Sequence, residues 1–168
     1  MKGVGGGDYF ERARAVSVAL LVLAGVLAIA GSFMDWTTKG TIPDEARFQS
    51  GTPVIHDMLS DPVTGFDAGD GKVVIAAAAF VLVSAMLLAV TRQGRYGLVA
   101  LLASVVIGAV AIAAYRALGD TASDFFRKLD LAGAIDPGIG LILVAIAGLL
   151  GVLAGSLGMI SSPKVPAP

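Results

Sequence analysis

The stretch "PGIGLILVAIAGLLGVLAGSLGMISSP", Pro137 to Pro163, carries no charge anywhere along its length. A helix of about 20 apolar residues crosses the roughly 30 Å of hydrocarbon in a bilayer, so this segment is long enough to span one. Within it Gly148, Gly151, Gly155 and Gly158 recur at spacings of 3, 4 and 3. That rhythm puts them on one helical face over roughly 15 Å. In lipid, helices gain little by burying apolar surface against each other, and close backbone approach through small residues drives their association. The segment therefore reads as a membrane helix with one face reserved for another helix.

Three more charge-free runs precede it, Ala15 to Met34, Val73 to Thr91 and Tyr96 to Tyr115, and each has the length that a span needs. The chain has 168 residues, 56% of them hydrophobic and 15% charged, with a mean hydropathy of +0.84. Such a composition leaves too little polar surface for a water-soluble domain. The expected fold is an all-α membrane protein, a bundle of four transmembrane helices in a single membrane domain. Its spans lie at about 15–34, 73–91, 96–115 and 137–160, with outer loops at 35–72 and 116–136.

The longest polar segment, Asp35 to Lys72, is of a size that seldom folds alone without disulfides or metals. With no cysteine in the chain, disulfide staples, thiol nucleophiles and cysteine metal sites are ruled out. A net charge of −1 offers no nucleic-acid surface. A basic start, an apolar run and "AIA" at Ala28 to Ala30 also describe a secretory signal peptide. Against cleavage, the run is longer than the usual apolar core of such peptides, and Asp8 and Glu11 interrupt its cationic flank.

Charge orients the bundle. Lys2, Arg12, Arg14, Arg92, Arg95 and Lys164 crowd into the short segments 1–14, 91–95 and 161–168 on one side. Lys39, Arg47, Lys72, Arg116, Arg127 and Lys128 are spread along the much longer segments 35–72 and 115–138 on the other. The denser positive side is cytoplasmic by the positive-inside rule, which puts both termini there. Trp36 and Tyr115 then fall at the outer boundary and Tyr96 at the inner one, where an amphipathic ring anchors a span. In the outer loops, "ARFQSGTPVIHD" (Ala46 to Asp57) fits a small hairpin. "TASDFFRKLDLAG" (Thr121 to Gly133) fits a short amphipathic helix.

Span 3 offers a small-residue stripe of Ala100, Ser104, Gly108 and Ala111, and span 1 offers Ala24, Ala28 and Gly31. The glycine face of span 4 pairs either with such a stripe inside the chain or with a second subunit. None of the four runs contains Asp, Glu, Lys, Arg or His, whereas proton relays and ion pathways generally need ionisable groups at membrane depth.

"GFDAGDGKVV", Gly65 to Val74, looks like a phosphate or metal loop at first sight. A phosphate loop needs Gly-x-x-x-x-Gly-Lys-Ser/Thr, but Phe66 stands at the first glycine and Val73 replaces the hydroxyl. A calcium loop fails too, because Phe66 falls where the first acidic ligand belongs. The structural reading gives Asp70 as the cap of span 2 and Lys72 as an outer-interface anchor. Asp136 and Pro137 begin span 4 in the same way. His56, Asp57, Asp61, Asp67 and Asp70 could gather round a divalent cation, but no motif spacing supports a site, so neither metal nor cofactor is expected. One histidine and no nucleophile motif predict a protein that is not an enzyme.

"GSFMDW" (Gly31 to Trp36), closing span 1, and "GFDAGDGKVV", opening span 2, resemble the corresponding stretches of small uncharacterised four-span membrane proteins of actinobacteria. The resemblance implies a bacterial plasma-membrane location and no established activity. The loop lengths are claudin-like by topology only: the Trp-Gly-Leu-Trp motif and paired cysteines of claudins are missing, and so is any ground for a barrier function. These readings make the chain an accessory, assembly or structural subunit of a larger cell-envelope complex, with the lipid bilayer and a membrane protein partner or further copies of itself around it. The alternative is an oligomeric channel or passive transport subunit.

Overall fold

A computed structural model of the chain describes residues 6–39, 63–121 and 135–161. Among the described residues the fold is made of four long helices: α1 (Gly6–Phe33), α2 (Asp70–Thr91), α3 (Arg95–Thr121) and α4 (Ile139–Ile160). All four are long and apolar enough to cross a membrane, over Tyr9–Phe33, Asp70–Thr91, Arg95–Leu118 and Ile139–Ile160. Helix continues past the charge-free runs at several ends because charged side chains reach the interface while the backbone goes on satisfying its own hydrogen bonds. The hairpin expected at 46–57, the amphipathic helix expected at 121–133 apart from Thr121, which ends α3, and His56, Asp57 and Asp61 lie outside the described residues.

The helices pack in a ring: α1 beside α2, α2 beside α3, α3 beside α4, and α4 beside α1. α2 and α3 are joined by a tight turn in which Arg92 takes a left-handed conformation (φ 60°) and donates its N–H to the Leu88 carbonyl at 3.2 Å. At the other end of the bundle, β1 (Thr37–Lys39) pairs antiparallel with β2 (Ile135–Pro137), Thr38 opposite Asp136. This short ribbon, which sequence periodicity did not suggest, joins the roots of the two loops.

Alanines make up much of the interior, with Leu21, Leu88, Ile107, Val74, Val81 and Val144 between them, and many large side chains face outward. Ala24, Ala28, Ala78, Ala85, Ala100 and Ala154 are buried, whereas Phe80, Met86, Val90, Leu102, Leu149 and Leu153 are exposed. A protein in water could not leave so much apolar surface uncovered; one in lipid loses nothing by it, and its helices come closer together.

The glycine face of α4 is used within the chain. A Cβ added at Gly148 would lie 2.8 Å from the Gly108 nitrogen of α3, and one at Gly155 would lie 2.8 Å from the Leu101 nitrogen and 2.9 Å from the Gly97 carbonyl oxygen. A Cβ at Gly151 would come within 2.7 Å of the Ser104 Cβ, and one at Gly158 within 2.8 Å of a Leu88 methyl and 2.9 Å of the Ser17 hydroxyl. Near the loop end α1 and α4 meet the same way, with a Gly31 Cβ 2.8 Å from the Gly140 carbonyl oxygen. Gly97, absent from the expected span 3 stripe, completes the α3 side of the contact.

Buried polarity among the described residues is confined to serines: Ser17, Ser32, Ser84, Ser104 and Ser161. Ser32, Ser104 and Ser161 donate to carbonyls one turn back in their own helices. Ser17 donates instead from α1 to the Ala154 carbonyl of α4 at 2.7 Å, a cross-helix bond of the kind worth about 0.6 kcal/mol in a membrane bundle.

Neither acidic cap takes the expected form. Gly69 (φ 90°) is the N-cap of α2 with no side-chain bond, and Asp70 is already helical. The Gly71 N–H donates to the Gly65 carbonyl at 2.8 Å, so a folded-back backbone does the capping. α4 starts at Ile139 behind Gly138, and Asp136 and Pro137 belong to β2. The first amides of α4 find carbonyls of another segment: Gly138 N–H donates to Trp36 at 2.8 Å and Gly140 N–H to Asp35 at 3.0 Å. In both places a backbone carbonyl takes an amide of the first turn that a carboxylate cap was expected to hold.

Gly155→Ala sets a methyl against the α3 backbone, which cannot rotate away, and should cost about 1–3 kcal/mol. Gly108→Ala adds a methyl with nothing within 4 Å and should be neutral or stabilising. Thermal unfolding in mild detergent compares the two, with Gly151→Leu as the severe case; equal melting temperatures for all three would dismiss the backbone contact.

Candidate functional site

The most specific arrangement of side chains lies where the loops leave the bundle. Trp36, the chain's one tryptophan, is only 3% exposed. Its indole Nε1–H donates to the Gly31 carbonyl at 2.9 Å, its backbone N–H to the Val63 carbonyl at 2.9 Å, and its carbonyl accepts from Gly138 at 2.8 Å. One residue thus ties the end of α1, the return of the first loop and the start of α4.

Glycines make room for it. A Cβ at Gly65 would collide with the indole ring, and one at Gly138 would collide with the Asp35 carbonyl. Around this centre the Phe66 N–H donates to the Ser32 carbonyl at 2.8 Å, and the Val63 N–H to the Thr37 hydroxyl at 3.1 Å. Asp35 and Thr64 form an antiparallel bridge. Thr64 also donates its hydroxyl to the Asp67 carboxylate at 2.7 Å while accepting the Asp67 N–H at 3.2 Å, which closes the turn leading into α2.

The anchoring role expected of Trp36 is therefore corrected: the ring sits at the expected end of the bundle, but it faces inward as a plug. A buried indole pairs its one N–H with a carbonyl that ends a helix, satisfying both groups. Lys72 is exposed, with Nζ 5.1 Å from the Phe66 ring centroid. Phe66 stacks in turn on Phe33 at 5.5 Å, and this exposed pair occupies the outward-facing place that sequence reading gave to Trp36. Tyr115 is exposed on α3, while Tyr96 is half-buried and packs on the core, its hydroxyl 3.1 Å from an Arg95 nitrogen.

Ser104, Gly108, Gly148, Gly151, Gly155 and Gly158 lie together along the α3–α4 seam. Asp67 and Asp70 belong to the turn before α2 and its first residue, and no group of three metal-ligand side chains forms among the described residues. Chemically the arrangement fastens: it holds the roots of both loops at one place. Gly65 and Gly138 had no signal in the sequence beyond being glycines next to helix starts.

Comparison of the chain with protein-family models, with curated proteins and with solved structures finds no match in any of the three.

As a sole fluorophore of its kind, Trp36 reports this site directly. Its emission should be blue-shifted and resist both acrylamide and brominated lipid; strong quenching by brominated lipid would return it to the membrane surface. Trp36→Phe keeps a ring but loses the N–H donor and should cost about 1 kcal/mol. Gly65→Ala should cost more, because the indole has nowhere to go.

Proposed function

We propose that this chain is a non-enzymatic multi-pass membrane protein that serves as an accessory, assembly or structural subunit of a larger cell-envelope complex. The observation that supports it best is the Trp36 junction, which fixes the roots of two loops to one end of a bundle closed by backbone contact. A bundle built this way is a rigid mount, and the segments it mounts are the natural contacts for a partner. The proposed setting is the plasma (inner) membrane, with both termini cytoplasmic and the loops outside, on the density of Lys and Arg. The resemblance to four-span actinobacterial proteins points the same way.

The channel alternative relied on glycine faces packing copies of the chain around a pore. Those glycines pack against α1 and α3 of the same chain, which removes the surface that motivated it.

Affinity purification from native-level expression in mild detergent should recover a stoichiometric partner that crosslinks to residues of the first loop. Repeated isolation as a lone monomer would reject the subunit role, and a ring of identical chains that conducts ions would favour the channel. Orientation is tested on the cysteine-free background: Asp44→Cys should react with an impermeant maleimide in intact cells, and Lys164→Cys only after lysis.

A further inference from the structure

At the end of the bundle opposite Trp36, positive charge gathers against apolar helix faces. We infer that Arg14, Arg92 and Arg95 hold the phosphate of an anionic phospholipid whose acyl chains lie along α1 and α2. The inference rests on the helices spanning a membrane, and not on the subunit role proposed above.

Residues 8–14 and 92–95 hold four arginines against two acidic residues. Glu11 links two helices here: its Oε1 is 3.8 Å from an Arg14 nitrogen on its own helix and 3.8 Å from an Arg92 nitrogen in the α2–α3 turn. Pairs this long, with Glu11 62% exposed, are weak ones; their effect is to gather guanidiniums from two segments at one place. Arg95 closes the turn that Arg92 opens; its guanidinium lies 5.0 Å from the Tyr96 ring centroid and donates one N–H to the Tyr96 hydroxyl at 3.1 Å, which holds it in place. The remaining N–H groups of a held, forked guanidinium suit an oxyanion with two accepting oxygens.

Charge complementarity selects a phosphate, and the surroundings select a lipid. Within about two turns of these arginines α1 exposes Val16 and α2 exposes Val90, the latter at 73%. Apolar surface directly beneath a cationic cluster fits a headgroup with attached chains, and offers a free phosphate nothing beyond the charge. Basic residues at the membrane surface each contribute about fivefold to anionic-lipid affinity, so removing two should weaken binding roughly thirtyfold.

The full chain in mild detergent is mixed with phosphatidylglycerol, phosphatidylcholine or inorganic phosphate. Retained lipid is counted by native mass spectrometry and melting temperature is read in parallel. Phosphatidylglycerol should be retained and raise the melting temperature, with the other two much weaker. The Arg92→Gln/Arg95→Gln pair should lose that effect roughly thirtyfold, while Arg116→Gln at the opposite end should keep it. Unchanged Trp36 emission shows that each variant is folded. Should the pair fail to fold, Glu11→Gln decides: an anion site binds phosphatidylglycerol more tightly once the competing carboxylate is gone, and a purely structural ion network does not. Equal protection by phosphatidylcholine, equal protection by inorganic phosphate, or equal loss in Arg116→Gln would each overturn the proposal.

Discussion

Everything in this fold depends on how near the α3 and α4 backbones come to each other. The four helices are long and apolar enough to cross a membrane, and in lipid apolar side chains gain little by moving to the interior, so burial alone would not hold such a bundle. What remains is dispersion between surfaces in contact and a few hydrogen bonds across helices. Both need short distances. Gly97, Gly148, Gly155 and Gly158 supply them by having no Cβ to hold the chains apart. On α4 itself the large side chains of Leu149 and Leu153 point away from that seam.

The loop end solves a different problem, that of helix termini with unpaired amides. Acidic caps were the expected solution, and both were misplaced. Backbone carbonyls satisfy the start of α4, and the turn before α2 folds back on itself to satisfy its own helix. Trp36 makes this workable by filling the space behind those carbonyls, which also explains why the tryptophan is inside and the Phe33–Phe66 pair outside.

Four helices and the glycine face of α4 were legible in the sequence, because length without charge and a spacing of 3, 4 and 3 depend on neighbouring residues alone. The partner of that face was legible only as a choice, since Ser104 and Gly108 could meet it from the same chain or another. The Trp36 junction was not legible: it is made by residues 36, 65 and 138, which no periodicity connects, and its bonds run mainly through backbone atoms common to all residues. Trp36 itself looks like a belt residue to any rule that weighs only its distance from the end of an apolar run. The ribbon between β1 and β2 was hidden likewise, being three residues long on each side and set by where the helices deliver their ends.

The sequence separation within that junction has a consequence for biogenesis. Trp36 leaves the ribosome long before Gly138, so its carbonyl and the neighbouring Asp35 carbonyl wait for a helix that has not yet been made. The Ser17–Ala154 bond spans 137 positions and waits in the same way. Until α4 arrives, the first three helices lack the glycine face that closes the seam, and the Trp36 and Asp35 carbonyls lack the amides of Gly138 and Gly140. The last of the four helices to be synthesised is thus the one that closes the bundle along its length and locks its loop end, making the arrival of α4 and the completion of the fold a single event.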